Sequence, residues 1–331
     1  MPQDSSKKSD KLIRIGTRAS LLATTQTQEV KRNLIKSSGL NENQIEIVEI
    51  TTSGDKFKNV SLADIGGKGL FIKELEEALI TNKIDLAVHS AKDVPPQVRQ
   101  GTQIATFTKR KDPNDYFISK KYKSIDDLPQ KSVIGTSSAR RKSILLGLRP
   151  DLKIINFRGN VDTRLNKIEE DKVDATILAL CGLERLGKKI DKNKIIDIKT
   201  MLPSVGQGSL AIQIRNDDED LRKIVRKIND RNSEICIHSE RVFLDQLNAS
   251  CKSPVSVYCH IKDDKLFFNA KIYDFDGKNE FLTHDILEIG ELLKDFDKNY
   301  RKILDLSENI AISMANKVKK EAQGLLEKIC G

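Results

Sequence analysis

Three turns in the chain combine hydroxyl and basic residues in a pattern suited to a multiply charged anion. In Gly135-Thr136-Ser137-Ser138-Ala139-Arg140-Arg141 an apolar stretch ends, hydroxyl residues supply an N-cap, and a helical pattern begins. Backbone N–H groups at a helix start favour an anion, and two arginines in the first turn oppose the helix dipole unless something negative docks there. Alone, such a turn is better read as a capped surface helix with solvated charges. Here Arg158-Gly159-Asn160 with Arg164 repeats it one strand-helix unit later, and Gly16-Thr17-Arg18-Ala19-Ser20 matches it. The repetition favours a polyanion site, because planar guanidinium forks suit carboxylates or phosphates. Arg140, Arg141, Arg149, Arg158 and Arg164 cluster between positions 140 and 164, whereas the lysines are spread as on a solvated surface.

Other segments carry weaker signals. His89-Ser90-Ala91-Lys92-Asp93-Val94-Pro95-Pro96 follows an apolar stretch, so Asp93, held by a rigid Pro-Pro exit beside Lys92, is an acid/base candidate. A lone strand-end carboxylate is more often structural, and His89 reads as a packed strand-end residue. Cys251 lies in the turn Asn248-Ala249-Ser250-Cys251-Lys252-Ser253-Pro254, where Lys252 favours thiolate character. The remaining cysteines sit in apolar or periodic contexts and read as packing. No histidine neighbours Cys251 in sequence, which weakens a cysteine-protease reading. Gly66-Gly67-Lys68-Gly69 lacks the GxxxxGK[ST] spacing of a nucleotide-binding loop and reads as a glycine hinge with one basic contact.

The composition narrows the function classes. The chain has 331 residues, 38% of them hydrophobic, which is enough for real cores and for two or three domains. Its net charge of +9 could suggest nucleic acid, but aromatics are 5% with no tryptophan, so base-stacking platforms are scarce. Five cysteines, odd in number and never spaced CxxC, argue against a disulfide framework or zinc knuckle, and four histidines argue against a His-rich metal site. No metal is expected. No apolar run approaches the roughly 20 residues of a membrane span. The polar, Lys/Ser-rich start has no stretch of secretory-signal length, so a disordered tail over 1–11 and a soluble cytoplasmic protein are expected.

The elements that position these residues read as alternating strands and helices up to about residue 230. Leu12–Ile15, Ile45–Ile50, Ile84–His89, Val133–Gly135, Ile154–Phe157 and Val173–Leu180 look like strands. Phe71, Leu75, Ala78 and Leu79 repeat on one helical face. This alternation predicts an α/β architecture with largely parallel sheets. Beyond residue 230, a helix over Ser233–Leu247, strands Val255–His260 and Leu266–Tyr273, and a long helix from about Ser307 to Ile329 suggest a small α+β domain. The polar Lys109–Asp115 stretch and the Met201–Gly208 loop are the candidate crossings between two lobes.

Taken in order, IGTRAS, TSGD, IGGKGLFIKELE, DLAVHSAKDVP, KRKDPNDYFIS, VIGTSSARRKSILL, INFRGNVDTRL, ALCGLERLG and LPSVGQGSLAI resemble the hydroxymethylbilane synthase (porphobilinogen deaminase) family. The resemblance covers roughly residues 12–260 and weakens in the C-terminal third. It implies two periplasmic-binding-protein-like α/β lobes with a cleft plus a small C-terminal α+β domain: 12–108 with 209–227, then 114–203, then 230–331. It implies a monomeric cytoplasmic transferase of haem and tetrapyrrole biosynthesis that joins four porphobilinogens head to tail, losing ammonia at each step. Its partners are then porphobilinogen and the growing polypyrrole chain, with no nucleic acid and no membrane. A covalently attached dipyrromethane primes that chain through a thioether at the position of Cys251. Asp93 matches the catalytic aspartate, which contacts pyrrole nitrogens, stabilises the cationic azafulvene formed on deamination and assists proton transfer. Lys92, Ser138, Arg140, Arg141 and Arg158 match cofactor-binding positions, and Arg18, Ser20, Arg164 and Gln207 substrate-binding ones. The chain departs from the family pattern at Ala249-Ser250, where a glycine pair is usual, leaving the loop less free to adopt positive φ. It departs again at Asp64, where a basic residue is common. The alternatives are a catalytically silent anion-binding protein on the same scaffold, which bound dipyrromethane would dismiss, and a nucleic-acid binder resting on charge alone.

Overall fold

The computed structural model describes residues 12–52, 72–250 and 252–330. Cys251, Asp64, the Gly66–Gly69 turn and the 1–11 tail lie outside the described residues. In the first lobe, β1 (Ile13–Arg18), β2 (Ile45–Ile50), β3 (Leu86–Ser90), β4 (Thr102–Phe107) and β10 (Leu210–Arg215) form a sheet in the order β2-β1-β3-β10-β4. The crossover from β1 to β2 is α1 (Leu21–Ser38); Ser20 caps it, its hydroxyl accepting from the Ala23 N–H, and Gly39 ends it at φ +75°. Val30 and Leu34 of α1 pack on Ile13, Ile15, Leu86 and Ile212. A second helix, α2 (Lys73–Ile80), leads towards β3 and buries Leu75 and Leu79, the face expected from the Phe71–Leu79 pattern.

The second lobe repeats the plan. β5 (Asp115–Ile118), β6 (Val133–Gly135), β7 (Lys153–Ile155), β8 (Ala175–Ala179) and β9 (Ile195–Ile196) pair in the order β7-β6-β8-β5-β9. Its helices are α3 (Ala139–Leu148), α4 (Val161–Glu169) and α5 (Leu180–Arg185).

Largely parallel pairing is expected, and the sheet of each lobe contains one reversed strand. β10 runs antiparallel to both β3 and β4, and β5 antiparallel to both β8 and β9. These are the strands that follow the two passages between lobes: the chain leaves β4 to enter β5, and returns after β9 to enter β10. A strand entered from the other lobe arrives without the crossover helix that enforces parallel pairing. The passages touch at Gly208, whose φ of +106° only glycine adopts readily and where a Cβ would lie 2.4 Å from the Lys111 carbonyl oxygen.

After α6 (Glu219–Val225), the helix α7 (Arg231–Gln246) opens the C-terminal domain. An antiparallel sheet, β11 (Val255–Lys262), β12 (Lys265–Tyr273) and β13 (Glu280–Glu288), packs on α7. Phe243 of α7 meets Phe268 of β12 at 5.5 Å between ring centres. The long helix expected from Ser307 starts earlier and breaks. After the short α8 (Gly290–Leu293), α9 spans Phe296–Glu321 and α10 Gln323–Cys330. The Asp295 side chain accepts from the Lys298 N–H at the new start, and the first turns carry too few apolar residues to show the period.

One buried ion pair joins all three units. Glu240 of α7 is fully buried and accepts from Arg110 Nη1 (2.6 Å) and Nη2 (3.1 Å), and from the N–H groups of Gly206 (2.7 Å) and Cys259 (2.8 Å). Arg110 Nε donates to the Gln207 carbonyl at 2.8 Å. Both passages and the C-terminal domain therefore share a single carboxylate.

Candidate active site

The side chains of interest sit beyond the C-terminal ends of the strands, where ligands bind in open α/β sheets. β3 ends in a single 3-10 turn, Ala91–Asp93, which presents Asp93 exposed. That turn is fixed to the returning passage: the Ala91 N–H donates to the Ser209 carbonyl (3.0 Å). Gly206, at φ +68°, approaches so closely that a Cβ there would lie 3.0 Å from the Ala91 Cβ. Asp93 opens into a cavity of about 860 Å³. Lys92, Ser138, Arg140, Arg141 and Gln207 line the same cavity, as do Ala249, Ser250 and Lys252 from the C-terminal domain. Burial, then the Arg141 charge, lowers the pKa of Lys92.

Arg140 and Arg141 already hold an anion, and it belongs to the protein. Asp115, the first residue of β5, is fully buried; it accepts from Arg140 Nη2 and Arg141 Nη2, both at 2.7 Å. Arg140 Nη1 donates to the Leu202 carbonyl (2.7 Å) and Arg141 Nη1 to that of Ile177 (2.9 Å). Ser138 caps α3, its hydroxyl accepting from the Arg141 N–H (3.4 Å). The negative group demanded by two arginines in a first helical turn is thus Asp115. What the pair leaves open is Nε: in both residues it is buried without a hydrogen-bond partner. Gln207 serves the same cluster, its amide nitrogen donating to Asp115 Oδ1 (3.0 Å) and the Pro113 carbonyl (2.6 Å). Its side-chain nitrogen is therefore engaged within the protein. Asp115 has no sequence signal of its own; only the helix start that called for an anion pointed to it.

The other candidates divide. Arg164 of α4 has Nε on the Gly159 carbonyl (2.9 Å) and, among the described residues, no carboxylate in an ion pair. Burial, then the charge of Arg141, lowers its pKa to about 10, with Asp93 opposing and Arg158 adding to the fall. Arg141, Asp93 and Arg158 therefore all lie near enough for their charges to act on Arg164. Arg158 is half-buried, its carbonyl accepting from Lys167 Nζ (3.1 Å). Arg18 is half-buried at the end of β1, and Ser20 caps α1. Arg149 parts from the cluster: at the far end of α3 from Arg140, it pairs with Asp151 through Nε and Nη2, both at 2.8 Å. His89 is a packed strand-end residue, Nε2 lying 3.0 Å from Gln213 Oε1, and burial lowers its pKa to about 4, leaving it neutral.

Around Cys251 the described neighbours form a tight turn. The Ser250 N–H donates to Ser253 Oγ (3.1 Å), the Ser253 N–H to the Ser250 carbonyl (2.9 Å), and the Lys252 N–H to Ser250 Oγ (3.2 Å). The left-handed residue here is Asn248, at φ +52°. Asparagine tolerates that region, so the loop obtains its turn ahead of Ala249-Ser250 without the usual glycines.

A family model described as "Porphobilinogen deaminase, dipyromethane cofactor binding domain" matches residues 13–223, and one described as "Porphobilinogen deaminase, C-terminal domain" matches 234–319. The chain belongs to the porphobilinogen deaminase family. The porphobilinogen deaminase of Nitrobacter hamburgensis is 43% identical over 279 residues, 84% of this chain and 88% of that protein. That of Rickettsia bellii is 49% identical over 253 residues, 76% of this chain and 84% of that protein. Among solved structures, a nutrient binding protein from Burkholderia cenocepacia bound to methionine is similar over 65% of this chain and 90% of that one, at 19% identity and a TM-score of 0.41. A periplasmic substrate-binding protein of an ABC transporter from Coxiella burnetii is similar over 66% and 92%, at 15% identity and a TM-score of 0.42. The family's cofactor is dipyrromethane, whose carboxylates suit a cavity lined by Lys92, Arg140 and Arg141. Among the described residues no group of three or more His, Cys, Asp and Glu could hold a metal ion, and no helix is long and apolar enough to cross a membrane.

Proposed function

We propose that this porphobilinogen deaminase family member is a hydroxymethylbilane synthase, a transferase that condenses four porphobilinogens head to tail with loss of ammonia. The observation that carries the reading is one cavity in which Asp93 faces the turn flanking Cys251, across a wall containing Arg140 and Arg141. Lys92, Ser138, Arg140, Arg141 and Arg158 would hold the carboxylates of a dipyrromethane attached at Cys251. When bound, that group would supply the terminal pyrrole carbon to which the first unit is joined, later units joining the end of the growing chain. Asp93 accepts from the pyrrole N–H and holds negative charge against the cation that develops on porphobilinogen as ammonia leaves. Its carboxylate assists removal of the proton that the attacked pyrrole carbon gives up when the new C–C bond forms. Arg18, Ser20 and Arg164 receive the acetate and propionate of the incoming unit. Gln207 acts through Asp115, holding the arginine pair in place.

The same reading divides the chain into 12–108 with 209–227, 114–203 and 230–331, and makes the enzyme a cytoplasmic monomer that handles porphobilinogen and its oligomers. The unbridged thiols of Cys181, Cys236, Cys259 and Cys330 suit a reducing compartment.

Intact-mass measurement under denaturing conditions tests the reading. Wild-type protein should carry a dipyrrole adduct that Cys251→Ser lacks, because a serine oxygen is a far poorer nucleophile at neutral pH. Asp93→Asn protein already carrying the adduct should release ammonia about 10²–10⁴-fold more slowly in a single turnover. An adduct retained in Cys251→Ser, or wild-type ammonia release from loaded Asp93→Asn, would refute it.

A further inference from the structure

The segment that leaves Asp93 is Val94-Pro95-Pro96, and all three of its carbonyls converge on one side chain from another part of the fold. Arg241 of α7 donates from Nη1 to the Val94 carbonyl (3.1 Å) and from Nη2 to those of Pro95 (2.8 Å) and Pro96 (2.8 Å). Prolines have no N–H and cannot extend a sheet ladder, so these carbonyls need a donor from elsewhere. One turn further along α7, Asp245 Oδ1 accepts from Gln97 Nε2 (3.2 Å), continuing the contact past the prolines. Among the described residues Arg241 forms no ion pair with a carboxylate. Burial lowers its pKa to about 10, leaving it charged at neutral pH. A half-buried guanidinium spent on three backbone carbonyls, with no acid in an ion pair, is a costly arrangement for mere adhesion between domains.

Its place in the fold gives the arrangement a purpose. Glu240, the preceding residue of α7, holds both lobe passages. The following residues of α7 lead through Asn248 to the turn containing Cys251. A second cavity of about 310 Å³ shares Pro96, Val98 and Arg241 with the first. The segment leaving Asp93 therefore borders both cavities at Pro96 and Val98, and Arg241 ties it to the helix that leads to the cysteine. We infer that Arg241 is a positioning residue, holding the Asp93 turn at a fixed separation from the Cys251 turn while units are added. The inference rests on Asp93 and Cys251 having the roles proposed above.

The test compares wild type with Arg241→Met, which keeps length and loses all three bonds, and Arg241→Lys, which keeps the charge and loses the fork. Each loaded protein is assayed for kcat and KM, for melting temperature, and for hydrogen exchange of the peptide covering residues 91–99. Misplacing a reacting group by about 1 Å costs up to about 100-fold in rate, so kcat of Arg241→Met should fall about 10–100-fold with KM within about twofold. Exchange over 91–99 should quicken, and Arg241→Lys should recover part of both effects. Unchanged exchange over 91–99, or a lower melting temperature with wild-type kcat for the folded fraction, overturns the inference. Should Arg241→Met fail to fold, Arg241→Lys decides by the same two readouts. A wild-type chain without adduct or turnover refutes the proposed function instead, and exchange still judges the clamp.

Discussion

Replacing Asp115 by asparagine keeps the shape of the cluster and removes its only negative charge. Asp115 accepts at 2.7 Å from Arg140, at 2.7 Å from Arg141 and at 3.0 Å from Gln207, with no exposed surface. A unit-charge pair about 4 Å apart at an effective dielectric of about 20 is worth about 4 kcal/mol, offset by the desolvation of all three charges. Removing one partner of such a buried set typically costs about 3–5 kcal/mol, because the remaining charges stay buried and here repel. At about 2–4 °C per kcal/mol for a unit of this size, Asp115→Asn should lower the melting temperature by roughly 6–20 °C at neutral pH. The pH dependence identifies the cause. Burial alone would raise the Asp115 pKa, but the charges of Arg140 and Arg141 more than reverse this and hold it far below the usual carboxylate range. A depressed acid contributes stability above its unfolded pKa of about 3.9, and loses it as pH falls towards the folded value. The gap between wild type and Asp115→Asn should therefore be constant above about pH 5 and shrink by about 1.4 kcal/mol per unit below about pH 4. Calorimetric scans at several pH values measure it. A gap under about 1 kcal/mol at pH 7, or one that stays level from pH 5 to 2.5, would refute the assignment of the arginine pair to Asp115.

Glu240→Gln should cost about 3–5 kcal/mol, since it leaves Arg110 without its counter-charge and turns amide hydrogens towards either the Gly206 or the Cys259 N–H. A lower urea midpoint at an unchanged m-value would record this, and a loss below about 1 kcal/mol would show that the junction does not depend on the ion pair. His89→Gln probes the other sign of linkage. Burial lowers the His89 pKa to about 4, against about 6.5 unfolded, so the unfolded chain binds the proton first and wild-type stability falls between those values. The variant lacks that slope, so wild type should lose up to about 3 kcal/mol relative to it between pH 7 and 4. Parallel curves over that range would contradict the neutral, buried assignment.

Ile45–Ile50 and Val133–Gly135 were legible to the residue because short apolar runs bounded by turn formers have few alternatives. Strand direction was not. Leu210–Arg215 pairs antiparallel with β3 and β4 because the chain enters it from the second lobe, and no local pattern encodes that entry. The site divides in the same way. The helix start at Ser138–Arg141 announced an anion through the opposition of arginines to the helix dipole. Its identity depended on β5, where Asp115 pairs opposite Ala179 and so reaches the end of the sheet. Arg149 shows the converse: close in sequence to Arg140, it is separated from the cavity by the length of α3, and Asp151 takes its fork. Arg241 and Glu240 carried no local signal, since their partners lie more than a hundred positions away or across a passage.

On the proposed reading, the contrast between Arg140–Arg141 and Arg164 bears on how one protein can treat a fixed primer and a growing chain differently. Were all three guanidiniums unpaired, their mutual repulsion would oppose folding and leave the forks free to reorient. Asp115 removes that freedom from two of them: their Nη atoms are bound to the carboxylate and to carbonyls, which fixes both forks. Donors fixed in this way have already lost their rotamer entropy, so an anion that stays in place gains most from them. Arg164 keeps Nε on its own helix start, without an ion pair, and feels the like charges of Arg141 and Arg158. An arriving carboxylate relieves that repulsion, and the relief is lost again when the carboxylate moves on. On the proposed reading the preorganised pair suits the permanently attached dipyrromethane, and Arg164 suits carboxylates that arrive and shift as the chain lengthens.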